Sequence, residues 1–544
     1  MVAVAVGVGL VAGFMLFNQR YELSLAVLMV YLGLLDGYIK LKLNTSWATL
    51  GRDVLLYSIV GGFLIRAAVR RERITLPPLS GWVIAFCAIA VVQVFNPRGG
   101  WSLEALAAVR PHLEFVPLFF FGYVTMRTKR RLRAFLILLL VVTAVNAVVA
   151  YVQFDLAPQS LATWGPGYEA RISGSGGVSG RYFVDDQGRE RTRPFGLGSD
   201  QGFAGFLAML AVPAAMALML ARKRVLPAIV FALLGFGVAV AVITAQARVV
   251  LVGSVIAAIA FALISSTARR MLPTAVGLVL ALVVTMLSLS LFTSENQQAV
   301  FRKYDTVTPD RVVETTITYR RDTLARVPEY AARFPLGAGL GSGGPGAGFI
   351  AAPTTSLTLN AESEFTYLLI ELGIAGLVLL LAFNVKLFTL ALTRIRRLAD
   401  LELRLLLGAL LAPLFAVFAT WIVGIATAST PGAPYFWFVA GIASYWLASP
   451  GGVPAPGVVD ATAPRTVAPR PRPRPAPTGR DAKTVLIYRD SGEPIDGIRD
   501  HSHALADALQ SQDEDASVFL VEAPGDVSRA PAAEAYVLQY NPFS

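Results

Sequence analysis

Apolar residues form long runs along most of the chain, and short polar segments separate them. A helix that crosses the hydrocarbon core of a bilayer, about 30 Å thick, needs roughly 20 mainly apolar residues. The pattern therefore predicts about 12–13 membrane helices, although several of the runs are short. The runs lie at roughly 2–17, 22–39, 50–65, 80–95, 112–126, 132–153, 200–221, 225–245, 249–267, 271–292, 363–392, 403–426 and 432–448.

Clusters of Lys and Arg lie between these runs and predict the orientation of the helices. Basic residues close to helix ends are retained in the cytoplasm, so the side that carries the clusters should be cytoplasmic. Two long loops, about 155–199 and 293–361, then lie outside, and the C-terminal tail lies inside. The clusters are Arg66, Arg70, Arg71 and Arg73; Arg127, Lys129, Arg130, Arg131 and Arg133; Arg222, Lys223 and Arg224; Arg269 and Arg270; and Lys386, Arg394, Arg396 and Arg397.

Composition supports a polytopic membrane protein and argues against a soluble globular one. The 544 residues are 55% hydrophobic and only 15% charged, and the mean hydropathy is +0.59. The net charge of +11 follows from the basic loops, so no nucleic acid partner is expected. A single cysteine, Cys87, excludes an intrachain disulfide and a thiolate metal site.

The composition changes abruptly after Ser449. Residues 449–481 are rich in Pro and Arg and predict an extended linker between a membrane domain, 1–448, and a small segment, 482–544. In that segment KTVLIYRD, SVFLVE and AYVLQYNPFS are β-runs, and GIRDHSHALADALQ has helical spacing. This order predicts the opening of a doubly wound α/β sheet.

Three sites in the outer loops carry arginines that could bind an anion. Wound as a helix, residues 315–334 place Arg320 inside an apolar arc that contains Leu324 and Phe334, with Arg321 at its border. A guanidinium on a face that docks against the membrane domain needs an anionic partner. A structural carboxylate or lipid headgroups are the alternative partners.

The other two arginines lie near helix ends. Arg248 is the only charge for many residues and lies on the predicted outer side, against the usual bias of arginine, so we expect it to bind an anion. Arg193 ends the first long loop among other charged residues, and a solvated loop explains it equally well.

Acidic residues lie at the start of the apolar run at 363–392. Glu364 and Glu371 fall two turns apart on one helix face, and Glu362 points nearly the other way. Glu362 and Glu364 also fit acids that stabilise a helix N-terminus. Glu371 lies deeper and should face a cavity or a partner such as one of the arginines.

The glycine-rich sequence GAGLGSGGPGAG precedes these acids. It predicts a sharp turn back into the membrane domain. Phosphate contact through its backbone N–H groups is a lesser alternative.

Four segments occur in a fixed order: TRPFGLGSDQGFAGFLA, ITAQARVVLVGS, RRDTLARVPEYAARFPLGAGLGS and ESEFTYLLIELGIAG. Together with the helix count they resemble the O-antigen ligase and polymerase superfamily of bacterial envelopes, over roughly residues 10–448. The tail resembles the start of the acceptor-side half of a two-Rossmann-domain glycosyltransferase.

The resemblance implies an all-α polytopic fold of the GT-C-like kind with a small Rossmann-like α/β segment at the C-terminus. It also implies an enzyme at the outer face of the bacterial inner membrane. Family members transfer a glycan from a polyprenyl pyrophosphate carrier to an acceptor hydroxyl, without metal or other cofactor. The implied partners are the lipid-linked oligosaccharide, a glycan acceptor, membrane lipid and other polysaccharide assembly proteins.

Carried over residue by residue, the resemblance implies that Arg193, Arg248, Arg320 and Arg321 bind the donor pyrophosphate. The ligase pattern has a histidine where this chain has Glu362. Glu362 is then the predicted catalytic base, with Glu364 and Glu371 in support, and the departure favours a polymerase over a ligase. A lipid-linked glycan transporter and an inactive scaffold for the tail are the alternatives.

Overall fold

The computed structural model describes residues 2–71, 76–97, 103–173, 182–184, 190–221, 225–265, 319–344, 359, 361–448, 484–488, 518–521 and 535–539. The chain divides into two compact units, Met1–Val459 and Asp460–Ser544.

The first unit is almost entirely helical over its described residues. A π-helical stretch, Tyr31–Leu35, joins α2 and α3, and a short antiparallel hairpin of β1, Tyr182–Val184, and β2, Glu190–Thr192, lies in the first long loop. The helices are α1 Val2–Phe17, α2 Tyr21–Val30, α3 Asp36–Leu43, α4 Ser46–Val69, α5 Ser80–Val92, α6 Leu103–Leu113, α7 Pro117–Thr125, α8 Lys129–Asp155, α9 Pro158–Ala162, α10 Pro166–Ser173, α11 Phe203–Leu220, α12 Val225–Thr244, α13 Arg248–Ser265, α14 Tyr319–Arg333, α15 Glu364–Arg394, α16 Leu401–Thr420 and α17 Gly432–Leu447.

Six described helices are long and apolar enough to cross a membrane, and three shorter apolar helices accompany them. This agrees with the predicted all-α polytopic fold, and it supports a multi-pass membrane protein. The predicted run 271–292 lies outside the described residues. The six are Tyr21–Leu43, Lys129–Phe154, Phe203–Leu220, Arg248–Ser265, Glu364–Arg397 and Leu401–Thr420, and the shorter three are Val4–Phe17, Ser80–Phe95 and Ile229–Thr244.

The predicted run at 112–126 is not one straight helix. Helix α6 ends at Leu113, and α7 begins at Pro117. A proline lacks the N–H that a helix interior needs, but it fits the first turn, where that group has no intrahelical acceptor. The break places ionisable residues of α6 within the helix bundle.

One end of the bundle is rich in basic residues. The Nζ of Lys129, at the start of α8, lies 2.9 Å from Oδ2 of Asp400, which caps the start of α16. Arg133 pairs with Glu402 on the same two helices. The Nε of Arg396 donates to the carbonyl of Leu263 near the end of α13, at 2.8 Å.

Two further contacts bring the first helices to this basic end. Arg131 of α8 pairs with Glu22 at the start of α2. The Nε of Arg66, near the end of α4, donates to the hydroxyl of Tyr21 at 2.8 Å. The clusters around Arg66, Arg131 and Arg396 therefore lie at one end, whereas those at 222–224 and 269–270 lie outside the described residues.

The opposite end, which we call the site end, is where α13 begins and α16 ends. A Cβ built on Gly253 would lie 3.8 Å from Cβ of Ala416, and one built on Gly408 would lie 3.4 Å from the ring of Phe261. The two helices are therefore antiparallel. Helix α11 begins at the same end, because a Cβ on Gly205 would lie 2.3 Å from Cβ of Ala245, just before α13.

The second unit contains three described strands, β3 Thr484–Tyr488, β4 Val518–Val521 and β5 Ala535–Gln539. They form a parallel sheet with the order β4-β3-β5, in which Leu486 pairs with Leu520 and with Val537. Each strand lies inside one of the predicted β-runs. The Rossmann-like assignment and the glycosyltransferase resemblance of this unit stay predictions.

Helices α7 and α17 pack backbone to backbone. A Cβ on Gly441 would lie 1.9 Å from the carbonyl oxygen of Phe119, and one on Gly122 would lie 2.2 Å from that of Phe438. Small residues let membrane helices approach this closely.

We predict that Gly441→Ala lowers the stability of the membrane unit, because the new methyl group must push α7 and α17 apart. Overpacking of this kind costs about 1–3 kcal/mol. The measurement is thermal unfolding of the purified protein in detergent. The matched control is Gly81→Ala in α5, since nothing lies within 4 Å of a Cβ at Gly81. Equal melting temperatures for the two variants would contradict the prediction.

Candidate functional site

Helix α15 begins at the site end with a complete cap. The hydroxyl of Ser363 accepts a hydrogen bond from the N–H of Thr366 at 3.1 Å, and the hydroxyl of Thr366 accepts from the N–H of Ser363 at 3.2 Å. This capping box fixes the first turn. Glu362 precedes the cap and is half-buried, so it lies outside the helix, and the predicted helical relation between Glu362 and Glu364 does not hold.

Two turns further along, α15 is interrupted at Gly373, whose φ is 73° and ψ is −172°. Only glycine adopts this backbone conformation readily. A Cβ at Gly373 would also lie 2.6 Å from the backbone of Leu336. The interruption therefore opens the hydrogen-bond ladder of the helix and gives another segment access to it.

The glycine-rich segment fills this opening. The N–H of Ala338 donates to the carbonyl of Ile370 at 2.7 Å, and the N–H of Ile374 donates to the carbonyl of Pro335 at 3.0 Å. Gly337, Gly339, Gly341 and Gly344 all have positive φ. The predicted sharp turn is present, and it restores backbone hydrogen bonds that the kink removes from α15.

The turn is also tied to the end of α5. The side-chain amide of Gln93 donates to the carbonyl of Leu336 at 2.7 Å, and that of Asn96 donates to the carbonyl of Gly337 at 3.2 Å. The turn is thus held between α5 and α15.

The buried carboxylate of Glu371 lies at the centre of this arrangement. Its Oε1 accepts from the N–H of Gly341 at 3.2 Å, and its Oε2 lies 2.7 Å from Nε2 of His112. The hydroxyl of Tyr367 lies 3.1 Å from the same His112 nitrogen, and the two rings stack 5.0 Å apart. One backbone N–H of the glycine turn is therefore committed to Glu371.

The sequence predicts that Glu371 faces a cavity or a partner such as one of the site arginines, and the structure supplies a partner of another kind. The partner is a histidine of α6, because the break before Pro117 brings His112 against α15. Our sequence reasoning did not single out His112. The available signal was a histidine between Arg110 and Glu114 at the edge of an apolar run, where an ionisable group needs a partner.

Glu364 points into the protein and holds the segment that follows α16. Its Oε2 accepts from the N–H groups of Ala426 at 2.6 Å and Thr427 at 3.0 Å, and the hydroxyl of Thr427 donates to Oε1. The N–H of Glu364 donates to the carbonyl of Trp421 at 2.9 Å. These bonds give Glu364 a positioning role at the site end.

Arg248 is the first residue of α13, at the site end. The residue is half-buried, and its Nε is buried without a hydrogen-bond partner among the residues described. Two residues earlier, Gln246 has a left-handed backbone, φ 54°, and is 1% exposed. Within the described part of the chain, neither Oε1 nor Nε2 of Gln246 has a partner.

Trp421 lies at the same depth along the helix axes as Arg248. The antiparallel register that sets Gly253 beside Ala416 places Trp421, five residues beyond, near the start of α13. Trp421 is 1% exposed, and its Nε1 lacks an acceptor among the described residues. The buried Gln246 and Trp421 and the half-buried Arg248, each with a buried polar atom that lacks a partner among the described residues, therefore lie at one level of the bundle.

Arg193 lies in the loop that leads to α11, and its side chain is exposed. The side-chain carbonyl of Gln153 accepts from the N–H groups of Phe195 at 2.9 Å and Gly196 at 2.8 Å. The N–H of Gly202 donates to the carbonyl of Pro194 at 2.9 Å. The loop after Arg193 is thus fixed to the ends of α8 and α11.

Arg320 and Arg321 lie on the first turn of α14. Arg321 is exposed, and the side chain of Arg320 lies outside the described part of the structure. The other end of α14 packs through Tyr330 and Phe334 against Leu369 of α15. The structure brings the backbones at Arg248, Glu362 and Glu364 to one end, and no contact among the described residues links Arg321 to them.

A second polar cluster joins α3, α4 and α6 and was not predicted. It contains three acids and three bases, so its formal charges cancel. Its closest pairs are Arg52 with Glu114 at 2.5 Å, Lys40 with Asp36 at 2.7 Å, and Arg110 with Asp53 at 2.8 Å.

An apolar cavity lies between α2, α8, α11 and α17. Its lining includes Leu28, Leu139, Leu207 and Phe438. It also includes Phe203, the first residue of α11, so the cavity reaches the site end.

We predict that Glu371→Ala destabilises the membrane unit, because it leaves the N–H of Gly341 buried without its acceptor and takes the carboxylate away from the buried His112. Each unsatisfied buried group costs about 1–3 kcal/mol. Thermal unfolding in detergent measures the effect. The exposed Glu329 of α14 provides the control, since Glu329→Ala removes the same groups at the surface. A melting temperature for Glu371→Ala no lower than that of the control would refute this account.

Comparison with known proteins gives one family. Residues 233–381 match the family model described as O-antigen ligase. The matched range contains Arg248, α13, α14, the glycine turn, Glu362 and the start of α15 with Glu364 and Glu371. Neither the curated proteins nor the solved structures compared with the chain contain a match.

Proposed function

We propose that this protein, a membrane protein of the O-antigen ligase and polymerase superfamily by the match of residues 233–381, transfers glycan from a polyprenyl pyrophosphate carrier to an acceptor hydroxyl. The reaction takes place at the outer face of the bacterial inner membrane, in exopolysaccharide, capsule or O-antigen synthesis. The enzyme is a glycosyltransferase that uses neither a metal nor a nucleotide sugar.

The observation that carries the proposal is the half-buried Arg248, whose Nε is buried and unpaired within the described residues. A desolvated guanidinium without an anion is costly, so the position favours an anionic ligand. Arg248 also starts α13, and the partial positive charge of a helix N-terminus adds to the attraction for phosphate.

The donor pyrophosphate lies against Arg248, and Arg193, Arg320 and Arg321 complete its binding. An arginine binds phosphate oxygens in pairs and stays charged when it is desolvated. Charge that develops on the leaving pyrophosphate is stabilised by the same guanidinium groups. Since Arg193 and Arg321 are exposed, their contribution requires that the outer segments close over the lipid. The apolar cavity that reaches Phe203 offers an isoprenoid chain a path to the site end.

Glu362 accepts the proton of the attacking hydroxyl. It lies outside the helix, half-buried, next to the capped start of α15. Glu364 and Glu371 act through the backbone: Glu364 fixes the segment around Thr427, and Glu371 fixes the glycine turn. A carboxylate base in place of the family's histidine favours a polymerase over a ligase.

Arg248→Ala should lower glycan transfer at least about 100-fold, the usual cost of removing a group that stabilises transition-state charge. The assay gives purified protein a polyprenyl-pyrophosphate oligosaccharide and measures glycan length and released carrier lipid. Arg326→Ala, at an exposed arginine of α14, is the control. A polymerase yields a ladder of glycan lengths. Movement of the intact lipid between leaflets, with no glycan transfer, would instead show that the protein is a transporter.

Glu362→Ala should lower transfer about 100-fold or more through loss of the general base. Glu362→His should restore a large part of the activity, because imidazole can also accept a proton and is the group that the family pattern carries there. The same transfer assay measures both variants. Full activity in Glu362→Ala would show that Glu362 is not the base, and it would leave the proposed role of Arg248 unaffected.

A further inference from the structure

Gln246 is a buried amide that the protein itself leaves unsatisfied. Its side chain is 1% exposed, yet Oε1 and Nε2 both lack partners among the residues the structure describes. Burying an unpaired amide costs free energy, and a leucine of similar size would avoid that cost. The left-handed φ of 54° at this position adds strain, since glycine or asparagine is the usual residue there.

The surroundings of Gln246 define the chemistry of a ligand. The unpaired Nε of Arg248 and Nε1 of Trp421 are donors only, and both lie at the level where α13 begins. Gln246 differs from them, because its amide can donate through Nε2 and accept through Oε1. A bare phosphate satisfies the donors of Arg248 and Trp421 and leaves Oε1 of Gln246 without a hydrogen.

We infer that Gln246 recognises a hydroxyl of the sugar bonded directly to the pyrophosphate, while Arg248 and Trp421 donate to the phosphate oxygens. This inference rests on the proposed function and refines its substrate class. A sugar pyrophosphate carries acceptor oxygens and hydroxyl donors side by side, so it satisfies all three residues at once. Gln246 thereby allows the site to tell a loaded carrier lipid from an empty one.

The discrimination has a direct use in the reaction. The empty polyprenyl pyrophosphate is the product of each transfer and carries the same two phosphates as the donor. A site that read only phosphate would hold this product as tightly as the substrate. A hydrogen bond to the sugar strengthens substrate binding alone, so the product leaves more readily than the donor.

The test measures binding of two lipids to the full-length protein: a polyprenyl pyrophosphate, and the same lipid linked to one sugar. Wild type should bind the sugar-bearing lipid about fivefold more tightly, as expected for one hydrogen bond between neutral groups. Gln246→Leu should abolish this preference and leave the affinity for the bare lipid unchanged. Gln159→Leu, at an exposed glutamine of α9, should retain the preference.

The possible outcomes separate the inference from the proposed function. If Gln246→Leu lowers the affinity for both lipids equally, or lowers neither, the role of Gln246 is overturned and the proposed function stays in place. Wild type that binds neither lipid contradicts the proposed function and this inference together. Trp421→Phe should lower the affinity for both lipids by the same factor, because the lost indole N–H contacts phosphate.

Thermal unfolding without lipid supplies an independent readout. Since Gln246→Leu removes a buried and unpaired amide, the melting temperature of the variant should equal or exceed that of wild type. A fall of several degrees would mean that the amide has a structural partner, and it would overturn the inference even if the variant failed to bind lipid.

Discussion

The buried carboxylate of Glu371 organises the site end of the membrane unit. It joins three elements that are far apart in the chain: α15, which carries it, the glycine turn through Gly341, and α6 through His112. A carboxylate in this setting must be paired, because an unpaired buried charge is far more costly than an unpaired amide. The interruption at Gly373 and the turn inserted there therefore form one unit, and the cap that positions Glu362 begins the same helix.

The two ends of the bundle differ in how their charges are balanced. At the basic end, ion pairs such as Lys129 with Asp400 tie helix termini together, and both partners are partly exposed to solvent. At the site end, Glu364 is paired with backbone N–H groups, while the Nε of Arg248 and the amide of Gln246 have no hydrogen-bond partner within the described residues. Structural contacts thus account for Glu364 and Glu371, whereas the described residues offer no partner to the Nε of Arg248 or to the amide of Gln246.

The sequence allowed the helical class, the grouping of the three described basic clusters and the sharp glycine turn to be predicted, because each depends on local periodicity, loop charge or backbone preference. The burial of Tyr330 in α14 was missed, since a helical arc shows which residues share a face and not how wide the contact is. His112 was missed for a different reason: it lies 259 residues from Glu371, and no pattern within one element relates the two. Gln246 likewise reads as an ordinary polar residue until its burial is known.

The glycines at the crossing of α7 and α17 have a mechanical consequence. With Gly441 against the carbonyl of Phe119 and Gly122 against that of Phe438, neither helix can slide or roll without a collision of main chains. The two helices therefore form a rigid pair. Helix α17 begins shortly after the segment that Glu364 holds through Thr427. Any rearrangement within the membrane unit must then come from elements that contact their neighbours through side chains and not main chain to main chain.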